Sequence, residues 1–119
     1  MDNKEFGKQL ENRTKNFAIC IIKLSASLPN TPESKVIKYQ IAKSGTSIGA
    51  NYREANRSRS KADFANKIKI CESEASETAY WLEIIADLNW LDPQSIQLIT
   101  TEANEILAIF TTIGKHLKL

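Results

Sequence analysis

The run Gln40-Ile-Ala-Lys-Ser-Gly-Thr-Ser-Ile-Gly-Ala-Asn-Tyr-Arg-Glu54 decides how this chain folds. Its composition argues against a helix. Gly45 and Gly49 each cost about 1 kcal/mol relative to alanine in a helix interior. Ser44, Thr46, Ser47 and Asn51 compete with the helix backbone for hydrogen bonds. Its phase argues the other way. Gln40, Ser44, Ser47, Asn51 and Glu54 recur at spacings of four and three, which draws one polar stripe down one helix face. Ile37, Ile41, Ile48, Tyr52 and Ala55 form an apolar stripe one residue further on, rotated by about 100°. A helix here puts the polar stripe at the margin of the core or on a second contact face. Its two glycines then let another backbone approach closely. The alternative is a glycine-rich loop over Ser44–Asn51. Such a loop lacks the Gly-Lys-Ser/Thr ending of a phosphate loop, which excludes nucleotide binding of that kind.

The flanking sequence reads as three more helices. Phe6, Leu10, Phe17, Ile21, Leu24 and Leu28 mark the apolar face of the first, interrupted by Arg13. Leu28-Pro29-Asn30-Thr31-Pro32 ends it, with Thr31 as cap and Pro32 as first residue of the second helix. Ser60 caps the third, with Asp63 three residues on in the manner of a capping box. Along it, Lys67, Ile70, Glu74, Glu77, Trp81, Ile84 and Leu88 keep three/four spacing, so two acids share a stripe with Trp81. Asp92-Pro93 opens the fourth, whose seam is Ile96, Ile99, Ala103, Ile106, Phe110, Ile113 and Leu117. The expected helices span about 4–28, 32–56, 60–89 and 93–117. Short connections make this an all-α, antiparallel up-down-up-down four-helix bundle, one domain over residues 1–119.

Bulk composition is that of an ordinary soluble globular chain, with 42% hydrophobic and 25% charged residues. No apolar run reaches membrane-span length, and Met-Asp-Asn-Lys-Glu-Phe lacks the apolar stretch of a signal peptide, so a cytoplasmic protein is expected. Cys20 and Cys71 fall among apolar helix positions and are expected as buried thiols. No Cys-x-x-Cys or Cys/His cluster exists, and the lone His116 stands outside any Glu-x-x-His pattern, so neither metal nor cofactor is expected. Glu74 and Glu77 lack an accompanying nucleophile or oxyanion donor, and no enzyme is expected.

Charge is segregated along the chain. Residues 35–69 carry nine Lys/Arg against two acids, whereas residues 70–114 carry eight acids and no Lys or Arg. Such a layout suits a basic patch for nucleic acid, or a basic surface of one subunit facing an acidic surface of the next, or oppositely charged helices packed side by side.

The stretch from Gln40 to Ala55, with Ser58-Arg-Ser-Lys-Ala-Asp-Phe64 and Glu74-x-x-Glu77-Thr-x-Tyr-Trp-Leu82, resembles the bacterial four helix bundle proteins encoded by intervening sequences of 23S ribosomal RNA genes. The resemblance is close over about 55 residues. It implies a homopentameric ring of bundles without known catalysis. A related branch, the accessory variability proteins of diversity-generating retroelements, binds nucleic acid and a reverse transcriptase. RNA or DNA, a second copy of the chain and a reverse transcriptase are therefore the partners the resemblance implies.

Two groups of residues are candidates. Gln40, Ser44, Ser47, Asn51, Glu54, Glu74 and Glu77 are read as a structural polar network that fixes helix or subunit register. In an antiparallel pair, Glu54 should meet Lys67 or Lys61, and Glu74 and Glu77 should meet Gln40 and Ser44. Arg53, Arg57, Arg59 and Lys61 cluster at the second turn and are the candidate nucleic-acid surface, sequence-tolerant because no base-reading motif accompanies them. The alternative is a protein-interaction scaffold that spends the same charges on a subunit contact.

Overall fold

The structure, a computed structural model, describes residues 2–117. Among them lie four helices and no strand: α1 (Asn3–Ala26), α2 (Pro32–Ala55), α3 (Lys61–Asp87) and α4 (Pro93–Lys115). The run from Gln40 to Glu54 is continuous helix inside α2, which excludes the loop alternative. Its competing side chains bond back into the helix. Thr46 Oγ1 donates to the Ala42 carbonyl at 2.7 Å, Ser47 Oγ to that of Lys43 at 2.6 Å, and Asn51 Nδ2 to that of Ser47 at 2.8 Å.

The helix starts are set by side-chain caps. Thr31 Oγ1 accepts from the Ser34 amide at 3.1 Å, Ser60 Oγ from Asp63 at 3.1 Å, and an Asp92 carboxylate oxygen from Ser95 at 3.2 Å. Asp2 caps α1 in the same way. The end of α3 is a Schellman turn. Asn89 takes φ 56°, its amide donates to Ala86, and the Trp90 amide reaches back to Ile85. Asparagine tolerates that left-handed backbone, so the helix stops two residues before its expected end.

Cross-helix contacts fix the directions. Glu54 meets Lys67, and Ser44 meets Thr78, so α2 and α3 run antiparallel. Glu11 meets Arg53 and Asn56 between α1 and α2, and Glu72 meets Thr111 between α3 and α4. Each helix packs on its chain neighbour, and α4 closes loosely on α1. The bundle measures 44 × 26 × 20 Å. Ile21, Ile41, Ile48, Ile68, Leu82, Ile85, Ile106 and Phe110 are fully enclosed. Tyr52 and Phe110 span the α2–α4 diagonal edge to face, with ring centres 5.4 Å apart.

Gly45 and Gly49 are close-approach points. A Cβ on Gly45 would stand 2.7 Å from Ile21 Cγ2, and one on Gly49 would stand 2.9 Å from Thr14 Oγ1 and 3.3 Å from the Thr14 backbone. The missing side chains let α1 seat directly on α2.

Three expectations are corrected. The buried face of α3 is Ala65, Ile68, Cys71, Ala75, Thr78, Leu82 and Ile85, one residue later than the stripe through Glu74, Glu77 and Trp81. The side facing the core alternates small residues (Ala65, Cys71, Ala75, Thr78) with Ile68, Leu82 and Ile85, whereas Ile70 and Leu88 are exposed and Trp81 is half-buried. Phe6 is 42% exposed, because the first turns of α1 project beyond the tightest part of the core. Cys71 is buried, but Cys20 is exposed on the open α1–α4 seam. Burial pushes the Cys71 thiol up to about 12, which leaves it unreactive.

Candidate nucleic-acid interface

The seven-residue polar network divides into parts with different roles. Ser44 is completely buried, and its hydroxyl lies 2.9 Å from that of Thr78, which also donates to the Glu74 carbonyl at 2.8 Å. Both hydroxyls are thereby satisfied inside the α2–α3 contact. At the helix end, Lys67 Nζ donates to Glu54 at 3.0 Å, one of the two alternatives expected for Glu54. Ser47 and Asn51 bond only to their own helix.

The pairing of Glu74 and Glu77 with Gln40 and Ser44 does not form. Thr78, one residue past Glu77, faces Ser44 instead, and the two carboxylates sit on the outer edge of the seam. Glu77 accepts from Trp81 Nε1 at 3.1 Å. The sequence reading missed Thr78 because a threonine on an apolar face carries no polar periodicity of its own.

Glu74 is held half-buried. Burial, then the neighbouring Glu77 charge, push its carboxyl above the usual range, and Lys43 partly opposes them. A carboxyl with a raised native pKa binds its proton more tightly when folded. Its charge therefore lowers stability above that pKa and has no effect below the ordinary one. Glu74→Gln is expected to raise the melting temperature near neutral pH, with the gain shrinking as pH falls through the carboxylate range. Thermal melts in which the gain grows on acidification would contradict this sign.

The basic candidates gather at one end of the bundle. Arg53 ends α2, Arg57 and Arg59 lie in the exposed turn, and Lys61 is the first residue of α3. Arg53 Nε approaches Glu11 at 3.4 Å. Among the described residues no carboxylate lies within 4 Å of Arg57, Arg59 or Lys61. The fold adds residues that the linear charge count concealed. Residues 1–34 look neutral in sequence, but Arg13 turns to α4, where it donates to Glu102 at 2.6 Å and to Glu105 at 2.8 Å. Lys4, Lys8 and Lys15 fall at helical spacing with Glu11, whose carboxylate reaches α2. They flank the arginines over about 16 Å of helix.

Oppositely charged helices packed side by side account for little of the charge. Of the eight acids in residues 70–114, Glu102 and Glu105 form ion pairs, both with Arg13. No group of three His, Cys, Asp or Glu among the described residues is placed to hold a metal ion. No described helix is long and apolar enough to cross a membrane.

The architecture and the Gln40–Leu82 motifs agree with comparison to known proteins. The family described as 23S rRNA-intervening sequence protein matches residues 9–112. The chain belongs to that family. It is also similar to a crystal structure of a protein of unknown function from the S23 ribosomal protein family of Bacteroides thetaiotaomicron. The two share 38% identity with a TM-score of 0.83, over 89% of this chain and 98% of the other. No curated protein matches the chain. As a member of the 23S rRNA-intervening sequence proteins, the chain shares their helical architecture, and neither comparison carries a catalytic assignment.

Proposed function

We propose that this protein is a non-catalytic, self-associating bundle that holds RNA or DNA against its basic end. One observation carries the reading: Arg57, Arg59 and Lys61 lie at one turn beside Arg53, with no carboxylate within 4 Å among the described residues. Cations not neutralised internally are available to phosphate, and several copies in one assembly multiply the contacts.

A self-association surface is supported by different faces of the bundle. The α1–α4 seam is a groove of about 710 Å³ bordered by Phe17, Cys20, Leu98 and Ile99. Leu98 is 74% exposed there. Away from that groove, exposed apolar side chains also lie on α2 (Val36, Tyr39) and on α3 and its C-cap (Ile70, Leu88). Two different apolar surfaces suit a head-to-tail ring. Contact through them, rather than between the charged segments, leaves the basic α1–α2 side uncovered. A pentamer is the ring size that the family resemblance implies.

The competing reading is a protein scaffold in which a neighbouring subunit covers the arginines. Labelled RNA and DNA titrated across a salt series, with wild type and Arg57→Glu/Arg59→Glu, separate the two. The proposal expects binding that weakens with salt and falls on the order of tenfold or more in the double variant. Absence of binding at low salt favours the scaffold, and binding indifferent to the double reversal puts the surface elsewhere.

A further inference from the structure

Two shallow grooves flank the C-terminal end of α2, and Arg57 borders both. The α2–α3 groove, about 490 Å³, contains Asp63, which has no cation within 4 Å among the described residues and faces any anion that enters. The α1–α2 groove, about 350 Å³, is chemically different. Ala18, Thr46, Gly49 and Ala50 are small residues along it, and Lys15, Arg53 and Arg57 are its cations. Its two carboxylates are already engaged: Glu11 with Arg53 and Asn56, Glu54 with Lys67. Lys15 and Arg57 have no carboxylate within 4 Å among the described residues.

Resting on the nucleic-acid reading above, we infer that this α1–α2 groove is where the sugar–phosphate backbone lies, with Lys15 and Arg57 as its phosphate contacts and Arg53 held in place by Glu11. Small residues along the groove let a phosphodiester approach the cations without displacing a side chain. Gly49 maintains it, because its missing Cβ keeps α1 and α2 close enough for Lys15 and Arg57 to face one groove. The contacts are to the backbone and carry no sequence preference. The groove also explains how α1 takes part: Lys15 reaches it from a helix whose Arg13 is spent on Glu102 and Glu105 of α4.

The test uses the full chain and a labelled single-stranded oligonucleotide, as RNA and as DNA of the same sequence, across a salt series. Lys15→Glu removes a contact, Ala50→Trp fills the groove without changing charge, and Lys23→Glu repeats the charge change of the first on α1 outside the groove. Circular dichroism melts confirm that each variant is folded, and Lys15→Gln replaces any that is not. Affinity is expected to fall on the order of tenfold for Lys15→Glu and Ala50→Trp, and by much less for Lys23→Glu. Lys15→Gln should lower the slope of log affinity against log salt by about one contact. RNA and DNA should be affected alike, and a loss confined to one overturns backbone recognition. If Lys15→Glu acts no more strongly than Lys23→Glu, and Ala50→Trp binds like wild type, the groove is overturned while binding at the turn stands. If wild type binds neither oligonucleotide at low salt, the groove and the nucleic-acid reading fail together.

Discussion

Phe110→Ala is expected to lower the unfolding free energy by about 3–5 kcal/mol, as truncation of an enclosed phenylalanine does. Phe110 has no solvent exposure and meets Tyr52 edge to face at 5.4 Å. That contact joins α2 to α4 across the bundle, where the backbones stay apart. The truncation therefore removes the ring's own burial, the aromatic pairing worth about 0.5–1.5 kcal/mol, and the link between diagonal helices. Domains of this kind have only about 5–15 kcal/mol in total. Tyr52 cannot swing in to fill the space without abandoning its place beside Asn56. Phe110→Leu retains much of the volume and should cost clearly less than the alanine change. Denaturant unfolding followed by circular dichroism measures both. A shift of the Phe110→Ala midpoint corresponding to less than about 1 kcal/mol would mean that the diagonal is not a principal contact.

The parts of the fold governed by local chemistry were legible in the residues. Thr31-Pro32, Ser60 and Asp92-Pro93 announce helix starts because a capping oxygen, a pre-set φ or both are needed there. The α2 and α4 seams were legible because their apolar residues outnumber any rival stripe. In α3 two stripes compete. The one through Ile70, Trp81 and Ile84 is interrupted by Lys67, Glu74 and Glu77. The buried one carries Ile68, Leu82 and Ile85 among small residues and no charge, and that absence of charge is the signal that tells them apart. Cys20 was misplaced for a different reason. Its position is apolar in phase, but α1 and α4 diverge at that seam, a tertiary fact with no trace in α1 itself.

The candidate surface was legible to the same extent. Arg53, Arg57, Arg59 and Lys61 lie within nine consecutive residues, so any fold with a turn there brings them together. Lys15 is 38 residues from Arg53, and its membership depends on how α1 is set against α2. Arg13, two residues before Lys15, is sent to the opposite side by helical phase and by Glu102 and Glu105. A linear charge count adds the two together, whereas the bundle assigns one to an internal ion pair and the other to the open face.

Gly45→Val is expected to destabilise the bundle by about 3 kcal/mol or more, although valine is a better intrinsic helix former than glycine. Even the first added carbon would sit 2.7 and 2.9 Å from the two Cγ atoms of Ile21, inside contact distance, and Ile21 has no exposed side to move into. The two methyl groups of valine enlarge the clash, and their stiff χ1 leaves few ways around it. Gly45→Ala sharpens the test, because helix propensity and packing then have opposite signs. Propensity gains about 1 kcal/mol, whereas overpacking costs about 1–3 kcal/mol, so net destabilisation is expected. A double-mutant cycle with Ile21→Ala isolates the cause. Removing both Cγ atoms should make Gly45→Ala neutral or stabilising, giving a coupling energy above about 1 kcal/mol. If Gly45→Ala stabilises the protein with Ile21 intact, α1 and α2 have room to spare. The two glycines in α2 would then have to be explained by something other than the approach of α1.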